Sequence, residues 1–329
     1  MIYICSPSTN PSFNLALEQY IFDEMPKDKE YFMLWQNDNA IIVGKHQNTI
    51  AEINQDFVNK NNISVVRRLS GGGAVYHDMG NLNFTFIVND NNINKFDFNV
   101  FCRPIIKALE KIGVNSQLNG RNDITINGKK FSGNSQYIKK NRIMHHGTLL
   151  YNSNLSVISK ALNVSKDKIE SKGIKSIKSR VTNIKDYMSE DIPLSEFKNI
   201  LLKYMFQEEN IKEYILTEND INKINNIKEK IYDTWEWNYG YSPKYSIVKE
   251  RRIDGCGKLE IYMDVENGLI TNFDVFGDYF GNGDKDYLKN IIIGRKLEVN
   301  DLKIALKNID IGFFFNNLSL EKFIEIMIM

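Results

Sequence analysis

A chain of 329 residues exceeds one typical domain, and with 42% hydrophobic and 25% charged residues it has an ordinary globular composition. Forty-two Lys and Arg residues stand against 41 Asp and Glu, and the net charge of +1 gives no overall reason to expect a nucleic-acid or membrane partner. The three cysteines are widely spaced and no apolar stretch reaches about 18 residues, so we expect a cytoplasmic protein with a large and a small domain.

The predicted elements begin with a short strand at residues 3–5, which is followed by a helix and two more strands. Apolar residues between 15 and 22 fall near helical spacing behind Asn14, which is a candidate N-cap. The segments 31–35 and 40–43 have the apolar composition of buried strands. The polar stretch Gly44–Asn48 follows directly, and it is either a surface loop or a place for site residues.

A glycine-rich loop within residues 65–78 is the most informative feature. The β-branched start of this stretch predicts a strand that delivers Arg67 and Arg68 to the consecutive glycines Gly71–Gly73. Glycine lets an anion approach backbone N–H groups, and an arginine can fork onto phosphate or carboxylate oxygens. The loop is therefore either a plain turn beside surface arginines or part of a phosphate-binding site.

The elements after the loop limit the kind of phosphate site that it could form. Residues 82–88 alternate in the pattern of a strand with one buried face, so the loop lies between two strands. The loop lacks the Gly-x-x-x-x-Gly-Lys-Ser/Thr pattern and no helix is predicted after it, which argues against a P-loop NTPase and a Rossmann fold. A helix at residues 101–112 comes next and ends at Gly113.

A hairpin predicted around Asn127-Gly128 brings an acid and a base together. Asn-Gly between alternating segments favours a two-residue type I′ turn. Asp123 and Lys130 then become diagonal neighbours on one face, where Asp123 could hold a magnesium ion and Lys130 could meet an anionic oxygen. The alternative is an exposed hairpin with a weak surface ion pair. The predicted cross-strand pairs are Ile126 with Lys129, Thr125 with Lys130, Ile124 with Phe131, and Asp123 with Ser132.

Two further stretches in the middle of the chain contain polar or charged side chains. His145 and His146 are predicted in one strand, so they point to opposite faces and cannot easily ligate the same metal ion. We expect one of them to be packed or hydrogen-bonded near the pocket. The basic segment 172–180 is either a solvated loop or a mobile flap that meets a phosphate or an acidic partner.

The last third of the chain is predicted to be helical and then mixed. Helical spacing runs from residue 194 to 230, and the aromatic run at 235–243 is expected to pack on the large domain. Residues 244–329 contain alternating segments followed by helical stretches, which indicates a small α/β domain.

Taken in order, these motifs resemble the lipoate-protein ligase A family of the biotin/lipoate protein ligase superfamily. The strongest match is Arg67–Asp78 followed by Gly80–Asn83. The other matching stretches are Asn14–Ala16, Gly44–Asn48, Gly120–Asp123, Lys130–Gly133, His145–Leu150, Ser179–Asn183 and the aromatic run 235–243. Because the matches cover nearly the whole chain, the glycine loop is best interpreted as functional.

The resemblance implies a fold and a reaction. The fold is α/β (α+β), with a large catalytic domain of mixed β-sheets flanked by helices at residues 1–243 and a small C-terminal α/β domain at 244–329. In the reaction, the carboxylate of (R)-lipoate attacks the α-phosphate of Mg²⁺-ATP to give lipoyl-AMP and pyrophosphate. A lysine of an acceptor lipoyl domain then forms an amide and releases AMP. The implied acceptors are 2-oxoacid dehydrogenase E2 subunits and the glycine cleavage H protein, and we expect a monomer.

The resemblance also implies roles for individual residues. Lys130 would contact both the lipoyl carbonyl and the phosphate, where a fixed ammonium stabilises developing charge, and Asp123 would be the catalytic carboxylate beside the metal ion. The positions that resemble ATP and adenylate contacts are Arg68, Gly73, Ala74, Val75, Tyr76, Asn81, Asn83, Lys130, Ser179 and Arg180. The positions that resemble lipoate contacts are Gly72, Gly73, His77, Lys130 and His146.

Three other functions compete with an ATP-dependent ligase. An octanoyl or lipoyl transferase of the same fold would need a nucleophilic cysteine near the pocket, but Cys5, Cys102 and Cys256 lie outside every motif named above. A biotin-protein ligase would carry an arginine-rich glycine signature that this sequence lacks. A binding module that has lost catalysis is disfavoured because Lys130 and Asp123 are present.

Overall fold

The computed structural model describes residues 1–329 except 46, 90–96, 121, 163–179, 207–210, 243–244, 255, 277–278, 280–281 and 329. The chain divides into two compact units, the first made of Met1–Gln47 with Asn61–Thr234 and the second of Asn48–Lys60 with Trp235–Met329. This division differs from the predicted boundary after residue 243, because the aromatic run and the segment Asn48–Lys60 belong to the smaller unit.

The described residues form thirteen strands and, apart from short 3₁₀ and π segments, eleven α-helices. The strands are β1 (Ile2–Cys5), β2 (Tyr31–Trp35), β3 (Ala40–Val43), β4 (Ser64–Arg67), β5 (Val75–His77), β6 (Asn81–Asn89), β7 (Gln117–Asn119), β8 (Asp123–Ile126), β9 (Lys129–Lys139), β10 (Arg142–Leu150), β11 (Tyr245–Ile253), β12 (Gly257–Glu266) and β13 (Leu269–Phe276). The helices are α1 (Pro11–Asp23), α2 (Thr49–Glu52), α3 (Gln55–Lys60), α4 (Asn99–Lys111), α5 (Leu155–Ala161), α6 (Leu194–Met205), α7 (Glu218–Ile227), α8 (Lys285–Ile292), α9 (Val299–Leu306), α10 (Ile311–Phe314) and α11 (Leu320–Ile328). None of the helices in the described part of the chain is long and apolar enough to cross a membrane.

A seven-stranded mixed sheet forms the centre of the first unit, with the order β1-β2-β6-β10-β9-β8-β7. β1 and β2 are parallel, and the other neighbouring pairs are antiparallel. Every residue of β6 from Asn81 to Ile87 is buried, so the prediction of a single buried face for this strand was wrong. A strand near the middle of a sheet that is covered on both sides has no solvent-facing side chains.

Helix α4 packs on this sheet with the spacing that the sequence predicts. Its apolar residues Phe101, Ile105 and Leu109 belong to the same buried cluster as Phe84 of β6. Gly113 follows the helix with a φ of +78°, the left-handed conformation that commonly terminates helices and that glycine adopts without strain.

A second sheet of the same unit holds the glycine loop. Its strand order is β4-β3-β5, with β4 parallel and β5 antiparallel to β3. The loop, residues 68–74, leaves the end of β4 and crosses to β5 on the other side of β3. The predicted position between strands, with no helix directly after the loop, is confirmed.

Helix α1 begins earlier than predicted. Its N-cap is Asn10, whose side chain accepts a hydrogen bond from the backbone of Phe13, and Pro11 occupies the first helical position. Proline is favoured there because its missing N–H would have no partner in the helix. Asn14 instead lies inside the helix, fully buried, and donates to the backbone oxygen of Gln36 at 2.8 Å. The prediction of Asn14 as the cap was therefore wrong.

The β8–β9 hairpin has the predicted turn. Asn127 and Gly128 have φ angles of +50° and +75°, and positive φ at both central positions defines a type I′ turn. The two cross-strand pairs nearest the turn are those predicted from the sequence.

The register of the hairpin changes farther from the turn. A β-bulge between Ile124 and Thr125 places Ile124 opposite Ser132 and Asp123 opposite Gly133. The two predicted pairs beyond the bulge were therefore wrong. A bulge adds one residue to one strand, and alternation in the sequence does not reveal it.

The continuous helical pattern predicted for residues 194–230 is interrupted. Helix α6 ends at Met205, and α7 begins only after Thr217. The Thr217 side chain accepts from the backbone of Asp220, while the Asp220 carboxylate accepts from the backbone of Thr217. This capping box defines a new helix start.

The second unit has its own sheet and core. Strands β11, β12 and β13 form an antiparallel sheet in that order, and their apolar side chains share a buried cluster with those of α8, α9 and α11. Trp235 and Tyr239 stack with ring centroids 6.2 Å apart. A Cβ atom at Gly268 would lie 2.3 Å from the Trp235 ring, so the glycine allows close packing of this indole. The aromatic run thus belongs to this unit and not to the large domain.

Candidate active site

A cavity of about 600 Å³ in the first unit is lined by both the glycine loop and the β8–β9 hairpin. Leu15, Trp35 and Ile42 form its apolar part, and Arg68 and Lys130 contribute charged groups. The remaining lining residues are Gly72, Gly73, Ala74, Val75, His77, Asn83, Asn122, Gly133, Asn134, Ser135, His146, Gly147 and Thr148. A cavity that combines apolar walls with a few polar groups is typical of small-molecule sites.

Arg68 holds the glycine loop in its observed shape. Its guanidinium donates to the backbone oxygens of Ile42 at 3.0 Å, Gly71 at 2.7 Å and Gly73 at 2.9 Å, and its Nε donates to Ser70 Oγ at 3.0 Å. Burial lowers the pKa of this guanidinium to about 10. Arg68 therefore lines the cavity and also fixes the backbone of the loop.

Arg67 fixes the turn that packs under the loop. It is fully buried, and its Nη1 donates to the backbone oxygens of Gly44, Lys45 and Gln47 at 3.0, 3.0 and 2.7 Å. A Cβ atom at Gly44 would lie 2.0 Å from the backbone oxygen of Gly72, so the turn and the loop are in direct backbone contact. Of the two arginines considered as phosphate ligands, Arg67 supports the structure and does not line the cavity.

Lys130 and Asp123 form the ion pair expected from the hairpin. Lys130 Nζ lies 2.7 Å from Asp123 Oδ1, and the two side chains are 37% and 35% exposed. An ion pair that solvent reaches this easily contributes little to stability. The ammonium is thus held in place and stays accessible to a ligand in the cavity.

The surroundings of Lys130 leave room for its ammonium and fix its backbone. A Cβ atom at Gly133 would lie 2.8 Å from Lys130 Nζ, so this glycine provides the space that the side chain occupies. The backbone of Thr182 donates to the backbone oxygen of Lys130 at 2.9 Å, and Val181 forms a parallel bridge with Lys130. The chain after the predicted flap is therefore attached to the strand that carries Lys130.

His77 lines the cavity and has one ring nitrogen without a hydrogen-bond partner among the described residues. Its Nδ1 lies 3.1 Å from the side-chain amide of Asn37 and 3.5 Å from that of Asn83, while Nε2 has no partner among the described residues. Burial, with the nearby charge of Arg68, lowers the pKa of His77 to about 3. The ring is neutral near pH 7, and because an amide N–H donates to Nδ1, Nε2 carries the hydrogen.

His145 and His146 point to opposite faces of β10, as predicted. His145 faces the core, where its ring stacks on Phe101 with centroids 4.6 Å apart and burial holds its pKa well below the usual range. His146 lines the cavity, with Nδ1 3.0 Å from Glu18 Oε1 and Nε2 2.6 Å from Ser70 Oγ.

Comparison with known proteins identifies the family. Residues 10–206 match the family model described as the lipoyl protein ligase A/B catalytic domain, and residues 242–327 match the bacterial lipoate protein ligase C-terminus. The lipoate-protein ligase LplJ of Bacillus subtilis is 42% identical over 331 residues, which cover 99% of this chain and 100% of the relative. The chain belongs to the lipoate-protein ligase family.

Solved structures of lipoate-protein ligases share the fold. A bipartite ligase of Thermoplasma acidophilum, described with its E2 lipoyl domain, has a TM-score of 0.65 and 27% identity, covering 73% of this chain and 96% of its own. LipL1 of P. falciparum in complex with lipoate has a TM-score of 0.63 and 27% identity, covering 98% and 97%. A lipoate-protein ligase A bound with ATP has a TM-score of 0.62 and 26% identity, covering 73% and 98%. The predicted α/β fold with mixed sheets is confirmed.

Most residues chosen by their resemblance to lipoate-protein ligases come together at the cavity. Those that line it are Arg68, Gly72, Gly73, Ala74, Val75, His77, Asn83, Lys130 and His146. Tyr76 and Asn81 do not line it. Side chains alternate along β5, so Tyr76 points away from the cavity, and its hydroxyl donates to Asn39 at 3.1 Å. Asn81 is buried and donates to Asn83 Oδ1 at 2.9 Å, which orients a residue that does line the cavity.

Of the three remaining predicted positions, the two that the structure describes, Asp123 and Arg180, are not lining residues. Asp123 is not a lining residue and reaches the site through its ion pair with Lys130. Arg180 is described, half-buried and directly before the bridge to Lys130. Ser179 and the remainder of the predicted flap, 172–179, lie outside the described residues.

Sequence reasoning missed part of the lipoate-protein ligase cavity. The lining residues that were not predicted are Leu15, Trp35, Ile42, Asn122, Gly133, Asn134, Ser135, Gly147 and Thr148. Several of these residues lie inside the stretches that match the family. Their position beside predicted site residues could have identified them. Trp35 and Ile42 stand outside the quoted motifs in separate strands, and only the folded sheets bring them to the site.

The cysteines do not favour a thioester mechanism. Cys102 and Cys256 are buried and Cys5 is exposed, and none of the three is among the described residues that line the cavity. Burial, with Asp97 nearby, raises the pKa of the Cys102 thiol to about 12. A thiol with a raised pKa is a poor nucleophile at neutral pH.

Proposed function

We propose that this protein is an ATP-dependent lipoate-protein ligase that salvages free lipoate. In the first step the lipoate carboxylate attacks the α-phosphate of ATP, forming lipoyl-AMP and releasing pyrophosphate. In the second step the ε-amine of an acceptor lysine attacks the lipoyl carbonyl, forming an amide and releasing AMP and a proton. Family membership, together with relatives described as bound to lipoate and to ATP, supports this proposal.

The observation that carries the proposal is the composition of the single cavity in which the predicted residues meet. Leu15, Trp35 and Ile42 provide an apolar wall that suits the aliphatic chain and dithiolane ring of lipoate. The glycine loop and Lys130 provide a polar wall that suits a carboxylate and a phosphate. The boundary between the two walls is where a lipoyl-phosphate anhydride would lie.

Lys130 would act electrostatically in both steps. Negative charge develops on phosphoryl oxygens in the first step and on the carbonyl oxygen in the second, and a fixed ammonium stabilises both. Its ion pair with Asp123 orients the side chain, and its 37% exposure leaves the ammonium open to substrate oxygens. Lys130 remains an ammonium donor throughout and forms no covalent bond.

A magnesium ion fits this site when the substrate supplies ligands. In the described part of the chain, no group of three or more His, Cys, Asp or Glu side chains could hold a metal ion by itself. Mg²⁺ in nucleotide sites usually takes about one or two carboxylates and completes its shell with phosphate oxygens and water. Asp123 offers one carboxylate that is about one-third exposed, and the ion would neutralise phosphate charge there.

The acceptors that we propose are lipoyl domains, such as those of E2 subunits and of the glycine cleavage H protein. A structural relative is described together with its E2 lipoyl domain, which supports this class of partner. The side chain that receives the lipoyl group must be an uncharged lysine amine, since an ammonium has no lone pair for the attack.

Mass spectrometry of an isolated lipoyl domain tests the proposal. The full chain is incubated with ATP, Mg²⁺ and (R)-lipoate, and the acceptor is expected to gain one lipoyl group while pyrophosphate is released. An acceptor whose target lysine is replaced by arginine serves as the control and should gain nothing. No gain with ATP and lipoate, together with a gain from an acyl-carrier-protein donor without ATP, would contradict the ligase and support the transferase.

A further inference from the structure

A buried chain of hydrogen bonds connects the glycine loop to helix α1. Arg68 Nε lies 3.0 Å from Ser70 Oγ, Ser70 Oγ lies 2.6 Å from His146 Nε2, and His146 Nδ1 lies 3.0 Å from Glu18 Oε1. Glu18 is 1% exposed, and its position in the sequence carries no signal of a site. A carboxylate in so little water needs donors, and the structure supplies them.

The direction of this chain follows from the chemistry of its ends. The Glu18 carboxylate only accepts, so His146 Nδ1 carries the hydrogen. When the His146 ring carries only this one hydrogen, Nε2 accepts from the Ser70 hydroxyl, and the Ser70 oxygen accepts from the Arg68 guanidinium. Each link uses one hydrogen, and a negative group anchors one end while a positive group occupies the other.

The order serine, histidine, carboxylate is also that of a nucleophilic triad, but burial excludes that function here. A nucleophile must reach the substrate carbonyl. Ser70 is 1% exposed and is not among the residues that line the cavity. Its hydroxyl therefore holds Arg68 and His146 in their relative positions and does not attack a substrate.

Glu18 also anchors the opposite wall of the cavity. Thr85 Oγ1 donates to Glu18 Oε1 at 2.5 Å, and Trp35 Nε1 donates to Thr85 Oγ1 at 2.9 Å. Trp35 belongs to the apolar wall. Two arms thus meet at one carboxylate, a loop arm through His146 and Ser70 and an indole arm through Thr85.

We propose that Glu18 is a positioning residue that sets both walls of the adenylation cavity at once. The loop arm orients Arg68, whose guanidinium holds the carbonyls of Gly71 and Gly73, and the indole arm orients Trp35. This inference rests on the proposed ligase function, which places the phosphate and the lipoate carboxylate at the loop and the aliphatic part of lipoate at the apolar wall. Cutting the indole arm should then affect only lipoate, cutting the loop arm should affect mainly ATP, and removing the carboxylate should affect both substrates.

Steady-state pyrophosphate release with separately varied ATP and (R)-lipoate tests this pattern. Ser70→Ala cuts the loop arm and should raise KM for ATP by roughly tenfold and KM for lipoate by clearly less. Thr85→Val cuts the indole arm and should raise KM for lipoate by a similar factor while KM for ATP stays unchanged. Glu18→Gln should raise KM for ATP and KM for lipoate, because an uncharged amide oxygen accepts weaker hydrogen bonds from His146 and Thr85 than a carboxylate does.

Coupling between the variants distinguishes positioning from general damage. Because Glu18 and Ser70 act through one chain of bonds, adding Ser70→Ala to Glu18→Gln should raise KM for ATP little further. Additive effects on KM for ATP would contradict the inference that Glu18 acts on the loop through Ser70. The two single-arm variants keep the proposal testable even where Glu18→Gln does not fold.

Asp220→Asn provides a matched control. Asp220 is another buried carboxylate of the same unit, which accepts hydrogen bonds from Tyr20, Tyr214 and Thr217 and does not line the cavity. It should lower the melting temperature and leave both KM values unchanged. Glu18→Gln with unchanged KM values, or Asp220→Asn with the same two increases, would overturn the inference. A wild-type protein that releases no pyrophosphate from ATP and lipoate would instead overturn the proposed function.

Discussion

Lys130 is the side chain on which the proposed chemistry depends most. Lys130→Ala removes the only lysine ammonium among the described residues that line the cavity, so lipoate-dependent pyrophosphate release should fall by roughly 100-fold or more. Its ion pair with Asp123 is about one-third exposed, so the melting temperature should change little. Pyrophosphate release by folded protein is the measurement, and an unchanged rate would mean that the lysine is misassigned.

Gly133 allows a second test of the same ammonium. In Gly133→Ala the new Cβ would lie 2.8 Å from Lys130 Nζ, and the flexible end of the lysine must move away. Because side-chain movement relieves the contact, stability should be nearly unchanged. A displacement of about 1 Å at a reacting group can cost roughly 100-fold in rate, so adenylation should fall by roughly 10- to 100-fold.

A double variant serves as the control for Gly133→Ala. In the Lys130→Ala background the ammonium is absent, so the added methyl group should have no further effect on pyrophosphate release. A further loss of similar size would show that Gly133 acts through some other contact.

Single residues were partly predictable from the sequence. Lys130 and Asp123 were predicted from turn chemistry and face alternation, because an Asn-Gly turn determines the hairpin near its tip. Tyr76 was placed in the site because it stands inside a motif, but strand alternation turns its side chain to the other face. Glu18 was not found, since a carboxylate within a helical pattern gives no signal until the fold surrounds it with donors.

At the scale of elements, the glycine loop depends on the turn at residues 44–47. In Gly44→Ala the Cβ would lie 2.0 Å from the Gly72 backbone oxygen, and neither backbone can yield without moving the loop. Forced overpacking of this kind typically costs about 1–3 kcal/mol of stability. We expect a lower melting temperature and, in the folded fraction, a higher KM for ATP in pyrophosphate release.

Gly283→Ala is the control for the element-scale prediction. Its Cβ would lie 2.3 Å from the Phe314 ring in the second unit, so it also introduces a close contact, but outside the cavity. It should lower stability and leave KM for ATP unchanged. If Gly44→Ala behaves in the same way, the turn does not control the loop.

The order and type of the elements were more predictable than their details. Helical spacing identified α1 and α4, although α1 is buried on nearly all sides, and the Asn-Gly turn identified the β8–β9 hairpin. The strand β10 was also predicted, and nearly all of its residues are buried. The bulge in that hairpin and the capping box before α7 were missed. Both interrupt a regular pattern with a local hydrogen-bond arrangement that the apolar spacing does not encode.

At the scale of the whole molecule, the site could be found only in part. The glycine loop, the hairpin and β10 carry ordered motifs, but the apolar wall comes from α1, β2 and β3, which belong to the far N-terminal part of the chain. Leu15 lies inside the matching stretch Asn14–Ala16, but nothing in the sequence distinguishes Trp35 and Ile42 from ordinary core residues. They become a cavity wall because two sheets of the first unit bring α1, β2 and β3 next to the glycine loop.

The buried histidines make the stability of the whole protein depend on pH. The pKa of His77 is lowered from 6.5 to about 3 by burial, and that of His145 is lowered well below 6.5. Between about pH 3 and pH 6.5 the unfolded chain binds protons that the folded protein does not. The free energy of unfolding therefore rises with pH over this range. The stabilisation is complete above pH 6.5 and declines as the pH falls towards 3.

His77→Gln and His145→Gln test this dependence through the slope of stability against pH. Each buried neutral histidine can contribute up to about 1.4 kcal/mol per pH unit, so each variant should flatten the slope near pH 5 by up to that amount. Ile105→Val is a control, since it removes one buried methylene from α4, costs about 0.5–1.5 kcal/mol and leaves the histidines in place. Its curve should run parallel to that of the wild type. Chemical denaturation at a series of pH values gives all four curves, and equal slopes for all of them would contradict the assignment of neutral buried histidines.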